Sequence, residues 1–329
     1  MKYIFAIFVL CSLSLADLAK SSKLTFDAEL SNFNYPFNVK SFNLHSQNQS
    51  LKMRYMDVGD KKSSKVIVLL HGKNFAGFYW EKIAKELMTR GYRVIIPDQI
   101  GFGKSSKPHN YAFSFSQLAL NTQSLLEHLG IKKYSVVGHS MGGMLAVNIS
   151  YLYGDKVDKL ILINPIGLEP YLDYVKFKDS DFFFKKELAK TVEKIRNYQK
   201  KNYYDGKWND AYEKLLTPFK GWLNGNEWKY VAWNNALTYA PIFSEDIVSK
   251  FPKIKNETHL IIGTRDRTGP GRFWKKEGVK YKLGQYQYLG KQAHRKIKNS
   301  KLYELKGLGH MPHFEDYKRF SKVFYSILK

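Results

Sequence analysis

Cysteine is almost absent from this sequence, and the absence limits how the chain can be stabilised. The chain has 329 residues and a single cysteine, Cys11. One thiol cannot form an intramolecular disulfide. Cys11 also lies within an N-terminal stretch that has the features of an export signal, so the mature chain is expected to contain neither a disulfide nor a reactive thiol.

The N-terminus lacks an apolar run long enough to be identified with confidence as a membrane span. Lys2 precedes a short apolar stretch, residues 3–10, and the small residues Ser14 and Ala16 stand at the positions that a signal peptidase reads. This order is typical of a cleaved signal peptide. We therefore expect residues 1–16 to direct export to the periplasm or the exterior. The alternative is an N-terminal anchor that is not cleaved.

Carboxylates are scarce, with 29 Asp and Glu against 53 Lys and Arg, which gives a formal net charge of +24. The densest basic stretch contains one carboxylate, Glu277, and ten cations: Arg272, Lys275, Lys276, Lys280, Lys282, Lys291, Arg295, Lys296, Lys298 and Lys301. Weak attraction to an anionic surface is one interpretation. A solvated lysine-rich face is the other, and we favour it. No nucleic-acid motif accompanies the charge, so nucleic acid is not an expected partner.

Short buried strands alternate with amphipathic helices along most of the chain. Helical patterns cover residues 80–90 and 117–129. Continuous apolar runs, typical of strands buried on both faces, occupy residues 66–70, 92–96, 135–137, 159–163 and 259–262. This alternation predicts an α/β fold with a mostly parallel central sheet and helices on both faces. Ligands of such sheets bind at the carboxyl ends of the strands.

The alternation stops after residue 165 and resumes near residue 252. The intervening segment is aromatic and cationic, with helical patterns over residues 188–198, 210–216 and 228–237. We interpret residues 166–251 as a helical cap inserted into a core formed by residues 39–165 and 252–329. Residues 17–38 form an N-terminal lead-in. Some aromatic side chains of the cap are expected to line the substrate site.

The motif Gly138-His139-Ser140-Met141-Gly142 predicts a nucleophile. An apolar run precedes it and an apolar stretch with helical spacing follows it. A G-x-S-x-G sequence between a strand and a helix forces the serine onto a sharp turn, because small residues at both ends let the backbone pass close to its neighbours. The serine hydroxyl then points outward, and Ser140 is the candidate nucleophile.

A serine hydroxyl needs a base and an orienting carboxylate, and the expected chain order is acid and then histidine. His310 follows the last strand in a glycine-containing loop and is the candidate base. His313 is its close rival, whereas His294 and His259 lie in less suitable positions.

Asp266 follows the strand at residues 259–262 and is the candidate acid. The alternative is a surface ion pair with Arg265 or Arg267. The other place for such an acid, after the preceding strand, is occupied by Asn164 and offers no carboxylate.

The segment His71-Gly72-Lys73-Asn74 follows the first buried strand. A tight turn there would point a backbone N–H at the nucleophile. The N–H groups of Lys73 and Met141 are the predicted oxyanion hole, and Asn74 is the alternative to Lys73. A catalytic role for the Lys73 side chain is a less favoured alternative.

Taken together, these motifs resemble the α/β-hydrolase superfamily. The pieces that match are His71-Gly72, the segment from Pro97 to Ser105, the elbow around Ser140, Asp266 and Gly309-His310. The resemblance implies a Ser140–His310–Asp266 triad and a cap over the pocket, and it makes the loop after Asp98 a structural one. Haloalkane dehalogenases and epoxide hydrolases carry aspartate at the elbow, so serine argues against both.

The sequence therefore predicts an exported serine hydrolase that cleaves carboxylic esters with a small or medium apolar acyl group. A small acyl substrate is the expected partner, and neither a metal nor an organic cofactor is predicted. One alternative is a carbon–carbon bond hydrolase for ring-cleavage products. The other is a catalytically silent module of the same fold that binds surfaces.

Overall fold

The computed structural model of the chain describes residues 23–329. The expected signal peptide, Cys11 and the first part of the lead-in lie outside the described residues. Among the helices that are described, none is both long enough and apolar enough to cross a bilayer.

Eight strands form one sheet in the order β1-β2-β4-β3-β5-β6-β7-β8. β1 and β2 are antiparallel, β2 and β4 are antiparallel, and all later pairs are parallel. The strands are β1 (Val39–Ser46), β2 (Gln49–Val58), β3 (Val66–Leu70), β4 (Arg93–Pro97), β5 (Tyr134–His139), β6 (Val157–Ile163), β7 (Glu257–Gly263) and β8 (Ser300–Leu305). This mostly parallel sheet confirms the predicted fold class.

Helices cover both faces of the sheet and fill the interval between β6 and β7. The α-helices are α1 (Glu81–Thr89), α2 (Phe115–His128), α3 (Met141–Leu152), α4 (Tyr171–Tyr174), α5 (Ser180–Leu188), α6 (Val192–Asn202), α7 (Asp210–Leu215), α8 (Thr217–Asn224), α9 (Trp228–Leu237), α10 (Tyr239–Ser244), α11 (Tyr286–Lys296), α12 (Pro312–Glu315) and α13 (Tyr317–Ile327). Short 3₁₀ turns lie at Gly77–Trp80, Gly154–Lys156 and Val248–Lys253.

The residues of β3 are buried on both faces of the sheet. Val68 and Leu70 pack in the cluster that contains α2, α3 and α11, whereas Ile67 and Leu69 pack in the cluster that contains α1 and α13. Successive strand side chains point to opposite faces, so an uninterrupted aliphatic run is what a sheet covered on both sides requires.

Seven α-helices, α4 to α10, lie between β6 and β7. The helix expected over residues 188–198 corresponds to α6, which begins at Val192 and ends at Asn202, while Leu188 is the last residue of α5. The Thr191 hydroxyl accepts a hydrogen bond from the Lys194 N–H and so caps the new helix.

The N-terminal segment, residues 23–38, joins the helices between β6 and β7 to the sheet. The Phe26 N–H donates to the Gly221 carbonyl at 3.0 Å, and the Trp222 indole N–H donates to the Asp27 carbonyl at 3.0 Å. Further along, the Tyr35 hydroxyl donates to the Asp98 carboxylate at 2.6 Å. The segment therefore contacts both α8 and the loop that follows β4.

Candidate active site

Ser140 lies on the sharp turn between β5 and α3, with φ 55° and ψ −119°. This backbone conformation is strained for a residue other than glycine. A Cβ atom at position 138 would lie 2.2 Å from the Gly142 carbonyl oxygen, and one at position 142 would lie 2.3 Å from the Leu70 carbonyl oxygen. Glycine is therefore required at both ends of the motif, for the reason the sequence suggested.

The structure brings the three predicted triad residues together. The Ser140 hydroxyl lies 2.9 Å from His310 Nε2, and His310 Nδ1 lies 2.7 Å from Asp266 Oδ2. Because the carboxylate accepts from Nδ1–H, Nε2 is left to accept the serine proton. All three residues are buried. The arrangement suits general-base activation of a serine, and the catalytic roles themselves stay a prediction.

Three donors surround the Asp266 carboxylate and hold it ionised. Besides His310, it accepts from the Thr268 N–H at 2.7 Å and from Asn164 Nδ2 at 2.9 Å. Burial pushes the pKa of Asp266 upward, but the neighbouring His310 and the Thr268 donor outweigh burial, so the pKa falls below its ordinary value of 3.8.

The alternative of a surface ion pair between Asp266 and its arginine neighbours is not seen. Arg265 pairs with Glu315. Arg267 donates to the backbone carbonyl of Asp266 at 2.8 Å and to the Gln287 side chain at 2.9 Å. The Asp266 carboxylate is thus directed at the imidazole, not at solvent.

Asn164 is a site residue whose role the sequence did not reveal. Its φ is 38°, in the left-handed region. Its side-chain oxygen accepts from the Gly263 N–H at 2.9 Å while its amide nitrogen donates to Asp266. An asparagine in place of an acid after β6 was the available signal, since asparagine tolerates left-handed backbone and offers both a donor and an acceptor.

His139, the residue before the nucleophile, holds the backbone of the base. Its Nε2–H donates to the His310 carbonyl at 2.9 Å, and its Nδ1 lies 3.2 Å from the Tyr79 hydroxyl. Burial, reinforced by His313 and His310, holds the pKa of His139 well below its usual range. His139 is therefore neutral, and its tautomer follows from the carbonyl that it faces.

The rival histidines lie elsewhere. His313 is on α12 and stacks on the Trp80 ring, with centroids 5.3 Å apart. Neither of its ring nitrogens has a hydrogen-bond partner among residues 23–329, and burial lowers its pKa to about 3. His294 is exposed on α11, and His259 lies 3.0 Å from Glu257 on β7.

The turn after β3 lies against the nucleophile. A Cβ atom at position 72 would be 3.1 Å from the Ser140 Cβ. His71 Nε2 accepts from the Gln99 N–H at 3.1 Å and fixes the start of the turn. Within the described chain, the backbone N–H groups of Lys73, Asn74 and Met141 have no hydrogen-bond acceptor. The predicted oxyanion hole, with Asn74 as the alternative to Lys73, stays a prediction.

The loop after β4 is held by the Asp98 carboxylate. This carboxylate accepts from the Gly77 N–H at 2.6 Å, from the Lys104 N–H at 2.7 Å and from the Tyr35 hydroxyl at 2.6 Å. A Cβ atom at position 103 would lie 2.1 Å from Asp98 Oδ2. These contacts give the loop a structural part in shaping the site.

The side chain of Lys73 is buried beside the nucleophile. Its ammonium donates to the Asn235 carbonyl at 2.7 Å and lies 4.1 Å from the centre of the Tyr239 ring. Burial lowers the pKa of Lys73 to about 7, although Glu187 opposes the shift. A catalytic role for this side chain was a less favoured alternative from the sequence, and the pattern did not indicate where the side chain would lie.

A cavity of about 360 Å³ opens over Ser140. Its size and largely apolar lining are typical of a small-molecule site. Residues from the helices between β6 and β7 form one wall and the loop after Asp266 forms another. The apolar and aromatic lining residues are Ile166, Ile195, Tyr198, Tyr203, Phe219, Tyr239, Ile242, Phe243, Phe273 and Trp274.

No group of three or more His, Cys, Asp or Glu side chains within residues 23–329 is arranged to hold a metal ion. The basic stretch noted in the sequence is divided in the structure. Arg272 lines the cavity, whereas Lys276, Arg295 and Lys298 are exposed.

The chain is similar to known proteins over most of its length. Residues 65–270 match the family described as the alpha/beta hydrolase fold. A probable hydrolytic enzyme from Pseudomonas aeruginosa PAO1, known from its crystal structure, is 40% identical, covers 93% of this chain and 99% of that chain, and has a TM-score of 0.90.

Two curated relatives are more distant or match over less of their length. A putative non-heme chloroperoxidase from Synechocystis sp. is 27% identical over 66% of this chain and 84% of its own. The mesoderm-specific transcript protein of Mus musculus is 36% identical over 108 residues, and the match spans only about a third (32%) of each chain. The family match and the crystallographic relative each cover most of the sequence, and the chain is a hydrolase of the α/β-hydrolase family.

Proposed function

We propose that this protein is a serine hydrolase that cleaves small or medium carboxylic esters through an acyl-enzyme. The observation that carries the proposal is the continuous hydrogen-bonded series from Ser140 through His310 to Asp266, at 2.9 Å and 2.7 Å, beneath the cavity. The helices between β6 and β7 act as the cap over this cavity.

In the first half-reaction, Ser140 Oγ attacks the ester carbonyl and His310 Nε2 takes the hydroxyl proton. The negative charge on the carbonyl oxygen is stabilised by the N–H groups of Met141 and of Lys73 or Asn74. The intermediate collapses, the bond to the alcohol oxygen breaks, and His310 returns the proton to that oxygen.

In the second half-reaction, water replaces the alcohol. His310 takes a proton from water, the hydroxide attacks the acyl carbon, and the proton passes to Ser140 as the acid leaves. Asp266 stays ionised and stabilises the imidazolium in both halves, in keeping with its lowered pKa.

The direct test is hydrolysis of p-nitrophenyl butyrate by the wild type, Ser140→Ala and the control Ser326→Ala, which alters an exposed serine on α13. Ser140→Ala should lose roughly a thousandfold or more in kcat, whereas Ser326→Ala should match the wild type. A fluorophosphonate probe should label wild-type Ser140. Wild-type turnover by Ser140→Ala would refute the proposal.

The two alternatives correspond to other outcomes of the same experiments. Labelling of Ser140 without ester hydrolysis, together with stopped-flow loss of a dienolate chromophore, would identify a carbon–carbon hydrolase. Absence of any adduct on folded protein would identify a catalytically silent module.

We further propose that the enzyme is exported. The proposal is supported by the signal-like pattern of residues 1–16. A mature N-terminus immediately after Ala16, determined on the protein recovered outside the cytoplasm, would support cleavage. Recovery of the intact N-terminus in a membrane fraction would instead indicate an anchor.

A further inference from the structure

The cavity over Ser140 is lined by positive charge only. Four basic residues contribute to its surface, namely Lys73, Lys190, Lys194 and Arg272, and no aspartate or glutamate does. A purely apolar ester has no group that would interact with these charges. Their presence therefore bears on what kind of substrate the cavity takes.

The nearby carboxylates are already engaged. Glu187 pairs with Lys190 at 2.6 Å, and Asp266 pairs with His310. Glu169 accepts from the Tyr281 hydroxyl at 2.9 Å and from the Gly284 N–H at 2.8 Å.

The other three cations have no such partner. Within residues 23–329, no carboxylate lies within 4.0 Å of the charged nitrogens of Lys73, Lys194 or Arg272. Lys73 and Lys194 each donate to a backbone carbonyl, that of Asn235 and that of Ala189 respectively.

Arg272 differs from these lysines because part of its guanidinium is buried without an acceptor. Its Nε donates to the Gly269 carbonyl at 3.3 Å, while Nη2 is buried and has no hydrogen-bond partner in the described chain. The indole N–H of Trp274, two residues along the same cavity wall, is likewise buried without a partner. Buried donors without acceptors destabilise a fold, so a ligand that brought an acceptor to these two donors would relieve that destabilisation.

We infer that the cavity selects substrates that carry a carboxylate in addition to the scissile ester, and that Arg272 and the Trp274 N–H bind this carboxylate. The inference rests on the proposed ester hydrolysis and specifies its substrate class. A guanidinium fork matches the two oxygens of a carboxylate, and an indole N–H can add a further donor. Lys194 adds to the positive potential without having to contact the anion.

The test compares matched esters that differ by one negative charge. On the acyl side the pair is mono-p-nitrophenyl glutarate and p-nitrophenyl valerate, and on the alcohol side it is the butyrate esters of 3-hydroxybenzoate and of phenol. Wild-type kcat/KM should favour the anionic member of at least one pair by roughly tenfold or more. This factor is in the range expected for a hydrogen bond to a charged group.

Arg272→Ala should remove most of that preference, mainly through a higher KM for the anionic ester. The kcat/KM of the variant should fall several-fold less for the neutral ester than for the anionic ester. Circular dichroism and the melting temperature of the variant show whether it is folded. Arg295→Ala is the matched control, because it removes an exposed arginine of the same basic stretch outside the cavity. Glutarate should inhibit the wild type competitively and Arg272→Ala at least about tenfold more weakly.

Equal kcat/KM for both members of both pairs in the wild type would overturn the inference, and so would an equal loss on anionic and neutral esters in Arg272→Ala. Both results leave Ser140-dependent ester hydrolysis intact. If none of the esters is hydrolysed and Ser140 is not labelled, the proposed function itself has failed.

Discussion

The buried Lys73 ammonium should make the stability of this protein depend on pH in a way that one substitution can isolate. Burial shifts the pKa of Lys73 from 10.5 to about 7. That difference in pKa means that, relative to the unfolded chain, the fold favours the neutral amine over the charged form by about 5 kcal/mol. Below pH 7 the folded state carries the full unfavourable contribution of a buried charge.

The sign follows from proton binding. Between pH 7 and 10.5 the unfolded chain keeps the Lys73 proton while the folded chain has lost it, so stability rises with pH across this range. From pH 7 to pH 9, Lys73 alone should increase the free energy of unfolding by about 2 kcal/mol. Lys73→Met lacks this contribution but keeps a side chain of similar length.

The assay is urea denaturation of the wild type and Lys73→Met at pH 7 and pH 9. The substitution also removes the Asn235 hydrogen bond and the contact with the Tyr239 ring, which changes stability by an unknown amount at each pH. We therefore compare the difference in the free energy of unfolding between the two proteins at pH 7 with the same difference at pH 9. Any effect of the lost contacts that is equal at both pH values cancels in this comparison. Between pH 7 and pH 9, the free energy of unfolding of the wild type should rise by about 2 kcal/mol relative to that of Lys73→Met.

A matched control is Lys296→Met, which alters an exposed lysine on α11. Its stability difference from the wild type should not change between pH 7 and pH 9. The same flat result for Lys73→Met would refute the reasoning, because it would mean that Lys73 titrates alike in the folded and unfolded chains.

Two further substitutions test contacts on which the site depends. Asn164→Ala should lower the free energy of unfolding by about 1–3 kcal/mol, because the Gly263 N–H loses its acceptor and Asp266 loses a donor. It should also lower ester kcat by about tenfold, which corresponds to about 1.4 kcal/mol, and an unchanged kcat would show that Asn164 does not support Asp266. Gly221→Ala would place a Cβ atom 2.0 Å from the Phe26 ring and should destabilise the fold by about 1–3 kcal/mol. Faster proteolysis near residue 26 and a lower Tm would show this, and an unchanged Tm would contradict it.

The chain positions of Ser140, Asp266 and His310 could be predicted because parallel topology constrains them. Each follows a strand whose carboxyl end lies at the same edge of the sheet, so residues 44 and 170 positions apart along the chain come within hydrogen-bond distance. The elbow also has local steric requirements that only glycine meets at positions 138 and 142. Sequence patterns reveal a site well when topology and backbone sterics determine it.

Contacts that depend on side-chain direction were beyond the sequence. Asn164 was considered only as a position without an acid, although its amide bridges Asp266 and Gly263. The helical pattern predicted over residues 188–198 begins four residues before α6, whose start is set by the Thr191 cap. In both cases a polar side chain makes a hydrogen bond about which hydrophobic spacing carries no information.

The basic stretch contains cations in different surroundings, which composition alone does not distinguish. Arg272 and Arg295 belong to the same run of cations, yet the first lines the cavity over Ser140 and the second is exposed. Counting charges treats them alike and favours a solvated face for both. Arg272 follows the loop after β7 that also carries Asp266, so the topology that delivers the acid to the sheet edge delivers this arginine to the cavity wall. An arginine on the loop that carries Asp266 can therefore act on the substrate, whereas an arginine on an outer helix faces solvent. The comparison of Arg272→Ala with Arg295→Ala measures this difference in their effect on ester hydrolysis.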